Sequence, residues 1–156
     1  MRVLVTGTTQ GIGYEIVQKL KENADYEIFT INRRETENNE HNIICDLSNI
    51  SQVESICSVV RELQIDILIN NAGGSSPMRL EDLTATDIME RINLNFVAPT
   101  LLMQAVIPHM KGKKYGRIIN ISSVTGKTPV PYLHIYGAAK AALDNVMQST
   151  ACYLSN

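Results

Sequence analysis

Thr6-Gly7-Thr8-Thr9-Gln10-Gly11-Ile12-Gly13 decides how the rest of this chain is read. Before it stands a short apolar run, Val3-Leu4-Val5; after it, Ile12, Ile16, Val17 and Leu20 recur at helical spacing. The glycines therefore join a buried strand to an amphipathic helix. Glycine suits such a bend because a tight turn needs positive φ, and because a backbone without Cβ lets a pyrophosphate come close. The free N–H groups and positive dipole end of the helix start then face the anion. A purely structural turn is the competing reading.

Apolar runs of strand length go on alternating with helix-period segments. Glu27 to Ile31 reads as a second strand and Asn42 to Cys45 as a third, with Glu35 to Glu40 a polar loop. Val53, Ile56, Cys57, Val60 and Leu63 form an amphipathic stripe with Ser51 as its N-cap, and Asp66 to Asn70 is a fourth strand. Ile88 to Met110 reads as one long helix that Pro99 kinks, since proline cannot donate to the Asn95 carbonyl. Arg117 to Ile121 is a fifth strand and Tyr136 to Tyr153 a final helix. Such alternation implies parallel pairing with helices on both faces, a doubly wound α/β sheet in a single domain.

With 156 residues, 44% hydrophobic and 19% charged, the chain can bury the core of one globular domain. A net charge of -2 leaves no broad basic field, which argues against nucleic acid or an anionic membrane as partner. Lys111, Lys113, Lys114 and Arg117 are expected to be a solvated helix end. Cys45, Cys57 and Cys152 lack C-x-x-C spacing and read as reduced thiols, the first two buried, of a cytoplasmic protein. No apolar run approaches the roughly 20 residues of a membrane span. His41, His109 and His134 lack metal spacing and are expected on the surface or in loops, with a pocket-lining role for His134 as the alternative reading.

The spacing G-x-x-x-G-x-G after Thr6 resembles that of the short-chain dehydrogenase/reductase family, and later segments are similar to that family's motifs in the same order. The resemblance implies a Rossmann-type NAD(P)-binding domain over residues 1–156 with strand order 3-2-1-4-5. By the same resemblance Gly7, Thr9, Gln10, Gly11, Ile12 and Gly13 surround the pyrophosphate, and Asp46 with Leu47 lies beside the adenine. Asn70-Asn71-Ala72-Gly73 supports sheet and nucleotide, and Asn93 holds an active-site water. Ser123, then Tyr136 and Lys140 as Y-x-x-x-K, complete the set, with Lys140 also holding the nicotinamide ribose.

The reacting groups have a physical logic apart from the resemblance. Tyr136 and Lys140 stand at i and i+4 on one helical face, so an ammonium beside the phenol favours the phenolate. Such a tyrosine can protonate a carbonyl oxygen as hydride reaches carbon, or deprotonate an alcohol in reverse. The Ser123 hydroxyl can stabilise charge on the same oxygen. The expectation is an oxidoreductase moving hydride between NAD(P)(H) and a small-molecule carbonyl or alcohol. The alternative is a non-catalytic dinucleotide sensor, which needs the glycine turn but not Ser123.

An acidic residue at the end of the second strand would bind the ribose 2′-hydroxyl of NAD. Asn32 stands there, followed by Arg33 and Arg34, so NADP is favoured with NAD as the alternative. The resemblance also implies a homodimer or homotetramer through the two long helices, where Ala138, Ala139, Ala141 and Ala142 permit close approach. Family members continue through two more strands and a substrate-covering segment, whereas this sequence stops at Asn156. It is expected to be the ordered portion of a longer chain, with a separate second chain or a truncated nucleotide binder as alternatives. The reason is that five strands alone would leave Arg117 to Ile121 as an uncovered hydrophobic edge, which soluble proteins avoid.

Overall fold

Val3, Leu4 and Val5 are all fully buried because β1 (Arg2–Thr6) is the central strand of a parallel sheet, where successive side chains enter opposite layers. The computed structural model describes residues 1–35 and 41–155, so most of the polar loop from Glu35 to Glu40 lies outside the described residues. On one side of β1 lie β2 (Glu27–Asn32) and β3 (Asn42–Ile44); on the other lie β4 (Ile67–Asn70) and β5 (Arg117–Asn120). The order is β3-β2-β1-β4-β5, as the sequence implies, with β5 at the edge. Val5 pairs with Thr30 and with Ile69, so the carboxyl ends of the strands line up along one rim. The chain leaves β1 in opposite directions, and the crevice between β1 and β4 at that rim is where doubly wound sheets take ligands.

Leu4, Phe29 and Leu68 meet α2 (Ile50–Glu62) and α4 (Ala98–Lys113) in the larger core, which includes Val53, Val60, Leu102 and Val106. Val3, Val5 and Ile69 face the other way, onto Val17 of α1 (Gly11–Lys21). Each such side chain contributes about 1.5–3 kcal/mol when fully buried. The helices α3 (Ala85–Ile92) and α5 (His134–Leu154) complete the set, and α5 runs beside α3 and α4.

Several local expectations change. Asn49, not Ser51, caps α2, accepting the Gln52 N–H at 3.3 Å. The long helix starts earlier, at Ala85, where Thr84 and Asp87 form a reciprocal capping box. Pro99 does not simply kink it. Between α3 and α4 the residues Asn93–Val97 form a π-helical turn in which the Ala98 N–H reaches back five residues to the Asn93 carbonyl. Pro99 falls in the first turn of α4, where its missing N–H is tolerated, and α4 then runs on to Lys113. The final helix begins at His134, two residues ahead of Tyr136.

Lys111, Lys113, Lys114 and Arg117 are exposed at the end of α4 and just beyond it, as expected of a solvated helix end, and Lys113 also pairs with a buried carboxylate. Asp66 is buried at the start of β4, and its carboxylate takes Lys113 Nζ at 2.5 Å, the Arg2 N–H at 3.0 Å and His109 Nε2 at 3.2 Å. Burial alone would raise its pKa; those three partners, Lys113 foremost, bring it instead to about 2. His109 is thus a packed helix residue, and His41 stacks on Phe29 with ring centroids 4.8 Å apart. Cys45 and Cys57 are buried free thiols, while Cys152 is exposed. Among the described residues no helix is long and apolar enough to cross a membrane.

Candidate active site

The glycine turn is fastened to the end of β4. Thr6 Oγ1 accepts the backbone N–H groups of Asn71 and Ala72, at 3.1 and 2.9 Å. The Asn71 amide donates back to the carbonyls of Thr6 and Gly7, at 3.0 and 2.8 Å. Gly7 has φ 70°, and a Cβ there would stand 2.8 Å from Ala72 Cα; a Cβ on Gly13 would overlap the Gly7 carbonyl and the Asn71 amide. The first turn of α1 thus lies directly against the bend. Gln10 precedes it in an extended conformation and makes no side-chain cap, which leaves the first N–H groups of α1 for an anion. Thr9, Gln10, Gly11 and Ile12 are exposed around that opening. These features fit a dinucleotide pyrophosphate.

Asn32, at the end of β2, does not point outward. Its Oδ1 accepts the Thr8 N–H at 2.7 Å, and its Nδ2 donates to Thr8 Oγ1 at 2.9 Å and to Asn42 Oδ1 at 2.8 Å. Arg33 and Arg34 follow it as exposed residues. At the end of β3, Asp46 Oδ1 accepts the N–H and hydroxyl of Ser48, at 3.0 and 2.8 Å, while the Leu47 side chain joins the core.

On the far side of the crevice α5 carries Tyr136 and Lys140. Lys140 is only 3% exposed, and its Nζ lies 5.8 Å from the centroid of the Tyr136 ring. Burial lowers the lysine pKa, with Asp144 opposing. Among the described residues its hydrogen bond goes to the Ile121 carbonyl at 2.8 Å, which leaves two N–H donors for a ribose. Ser123 begins the turn Val124–Gly126, its Oγ accepting the Thr125 N–H at 3.2 Å and the Thr125 hydroxyl at 2.9 Å. Its own O–H is left to donate. That turn lies on α5: a Cβ on Gly137 would meet the Thr125 carbonyl at 2.8 Å, and one on Gly126 would meet Ala141 N at 3.1 Å.

Asn93 does not reach this cluster. Its amide donates to the Ser48 carbonyl at 3.0 Å, over toward β3 and α2. Asn95, two residues on, is fully buried and faces the cluster: a Cβ on Gly73 would find Asn95 Oδ1 at 2.8 Å and Lys140 Nζ at 3.1 Å. The cue for Asn95 was already in the sequence. Pro99 four residues later removes the donor that an α-helix would offer to the Asn95 carbonyl, which makes residue 95 the irregular point of the helix. Arg91 also went unremarked in the sequence, and it pins the loop beyond Gly73 by donating to Ser75 Oγ at 3.1 Å and to the Ser76 carbonyl at 3.4 Å.

Known proteins share this fold. The profile of the family described as short chain dehydrogenase matches residues 1–156. A tropinone reductase homolog of Datura stramonium is 35% identical over 167 residues, an alignment covering 97% of this chain and 62% of that protein. Among solved structures, a short-chain dehydrogenase from Sphingobium yanoikuyae in complex with NADPH matches with TM-score 0.88 at 30% identity, covering 99% of this chain and 65% of the other. A 4-hydroxyisoleucine dehydrogenase complexed with NADH matches with TM-score 0.89 at 28% identity, covering 99% and 69%. The chain spans less than two thirds of the length of that plant relative. Matched from its first residue to its last, and carrying the glycine turn, Ser123, Tyr136 and Lys140 in that order along the sequence, the chain belongs to the short-chain dehydrogenase family.

Proposed function

We propose that these residues form the nucleotide-binding and catalytic segments of an NADP(H)-dependent carbonyl reductase or alcohol dehydrogenase. The observation that carries the reading is the meeting of Tyr136, buried Lys140 and Asn95 beside Gly73, at the mouth of the crevice that the glycine turn opens. A nicotinamide dinucleotide supplies or accepts the hydride when bound. The turn from Gly7 to Gly13 holds its pyrophosphate, Asp46, Leu47, Asn71, Ala72 and Gly73 border its adenosine side, and Lys140 holds a ribose hydroxyl. Tyr136 gives a proton to the carbonyl oxygen, or takes one from an alcohol. Ser123 donates its hydroxyl to that oxygen and stabilises the charge gathering there. Asn95, in place of Asn93, keeps the wide helical turn in shape and its carbonyl open to a water that relays the proton.

Cofactor choice rests on Asn32, which is uncharged and turned inward, and on the exposed guanidinium groups of Arg33 and Arg34, suited to a 2′-phosphate. Family membership supports a homodimer or homotetramer through α4 and α5, which light scattering checks. The test of the chemistry is Tyr136→Phe, assayed on a panel of ketones and alcohols by absorbance of the reduced cofactor. The expected outcome is a loss of roughly 100-fold or more with dinucleotide binding retained. Activity within a few-fold of the unaltered protein removes Tyr136 from the role.

A further inference from the structure

A polar ladder runs from the glycine turn to the arginine pair, and every rung is a defined hydrogen bond. Thr8 and Asn32 bond each other as described, and Asn32 Nδ2 continues to Asn42 Oδ1 at 2.8 Å. Thr30, which faces Asn42 across the β2–β3 pairing, donates its hydroxyl to the same oxygen at 2.9 Å. The Asn32 amide nitrogen, itself oriented by the Thr8 N–H on Asn32 Oδ1, fixes which way the Asn42 amide is turned, because the reverse orientation would set NH2 against NH2. The Asn42 amide nitrogen is therefore aimed the other way, and it donates to the Arg34 backbone carbonyl at 3.1 Å. Thr8, Thr30 and Asn32 are each at most 7% exposed, so the inner rungs are shielded from competing water.

We propose that Asn42, a β3 residue, is a positioning residue for 2′-phosphate recognition: through Arg34 it sets the turn that presents Arg33 and Arg34. It fixes that turn at a constant distance from the pyrophosphate cradle, because the same ladder holds Thr8. The proposal rests on the NADP reading above, and it assigns Asn42 no contact with substrate or reacting atoms. A guanidinium fork discriminates by orientation as well as charge, so loosening its backbone weakens recognition of the 2′-phosphate and leaves binding of the rest of the dinucleotide unchanged.

The experiment is calorimetric titration of NADP⁺ and NAD⁺, which differ only in the 2′-phosphate, into the full chain and into Asn42→Ala, Asn42→Thr and the double variant Arg33→Ala/Arg34→Ala. For Asn42→Ala the preference for NADP⁺ is expected to fall roughly threefold to tenfold, the worth of one hydrogen bond, with NAD⁺ affinity unchanged. Threonine brings a hydroxyl oxygen and a strand-favouring β-branched side chain but does not reach Arg34, so it is expected to behave the same way and serves if the alanine variant unfolds. An unchanged preference, or parallel loss of both affinities as a merely structural residue would give, overturns the proposal. If the double arginine variant alone loses the preference, the NADP reading stands and Asn42 has no part in it. If even that variant keeps the preference, or if the unaltered chain binds neither dinucleotide, the NADP reading falls as well.

Discussion

Asn95 and Gly74 are bonded to each other twice: Asn95 Oδ1 accepts the Gly74 N–H at 2.9 Å, and Asn95 Nδ2 donates to the Gly74 carbonyl at 3.0 Å. The same amide nitrogen reaches the Arg91 carbonyl at 2.9 Å. One buried side chain thus stands in for a strand partner to the loop after β4. Asn95→Ala would leave the Gly74 groups unpaired, and a loss of about 2–3 kcal/mol with a large fall in kcat is expected. Asn93→Ala removes one half-buried bond, to the Ser48 carbonyl, and is expected to lower stability by about 1 kcal/mol with kcat nearly unchanged. Thermal unfolding with steady-state kinetics on both variants checks the contrast, and equal effects on kcat would contradict it.

Stability and activity should separate at Lys140. Its ammonium is desolvated and lies near a phenol ring, with one carbonyl acceptor, so the buried charge is a poor stabiliser. Lys140→Met fills similar volume without a charge. Its unfolding midpoint is expected to match or exceed that of the unaltered protein, while kcat/KM falls by roughly 100-fold or more.

Gly13→Ala tests the contact between helix and turn. The added methyl overlaps the Gly7 carbonyl and the Asn71 amide, neither of which is the free end of a flexible side chain. A loss of about 1–3 kcal/mol is expected from overpacking, together with loss of dinucleotide binding by titration. Retained affinity would detach the cradle from this packing.

Asp66 sets an acid limit on the fold. Its pKa of about 2 lies below the ordinary 3.8, so its stabilisation is complete above the unfolded value and is lost as pH falls from about 4 toward 2. Asp66→Asn is expected to lower stability near neutrality by about 1–2 kcal/mol and to flatten this acid limb, as read by denaturant titrations across that range. An unaltered acid limb would show that Lys113 and His109 do not govern it.

The five strands and the glycine bend were legible because each rests on a local pattern: apolar runs such as Val3-Leu4-Val5, helical spacing after Ile12, and positive φ at Gly7; the strand order was implied by the family resemblance. Tyr136 and Lys140 were legible because a helix fixes the reach of an i, i+4 pair. What escaped depends on contacts between distant segments. Choosing between Asn93 and Asn95 requires knowing which side of an irregular helix meets the loop after Gly73, and the wide turn between them alters the phase that regular spacing assumes. The inward turn of Asn32 is dictated by Thr8 and by Asn42. The pairing of exposed Lys113 with buried Asp66 joins residues 47 positions apart, so it cannot be read from the cluster of lysines alone.

Tyr136 and Lys140 ride on one rigid rod, whereas Ser123 and Asn95 belong to other pieces of the scaffold. Any displacement of that rod, such as a bulkier side chain at position 137 pressing on the Thr125 carbonyl, carries phenol and ammonium along in unison. Their mutual spacing survives while their aim at the reacting oxygen drifts. Under the proposed mechanism, damage at this seam therefore takes the form of misalignment: the dinucleotide would still dock on its side of the cleft, and the proton donor would arrive in the wrong place.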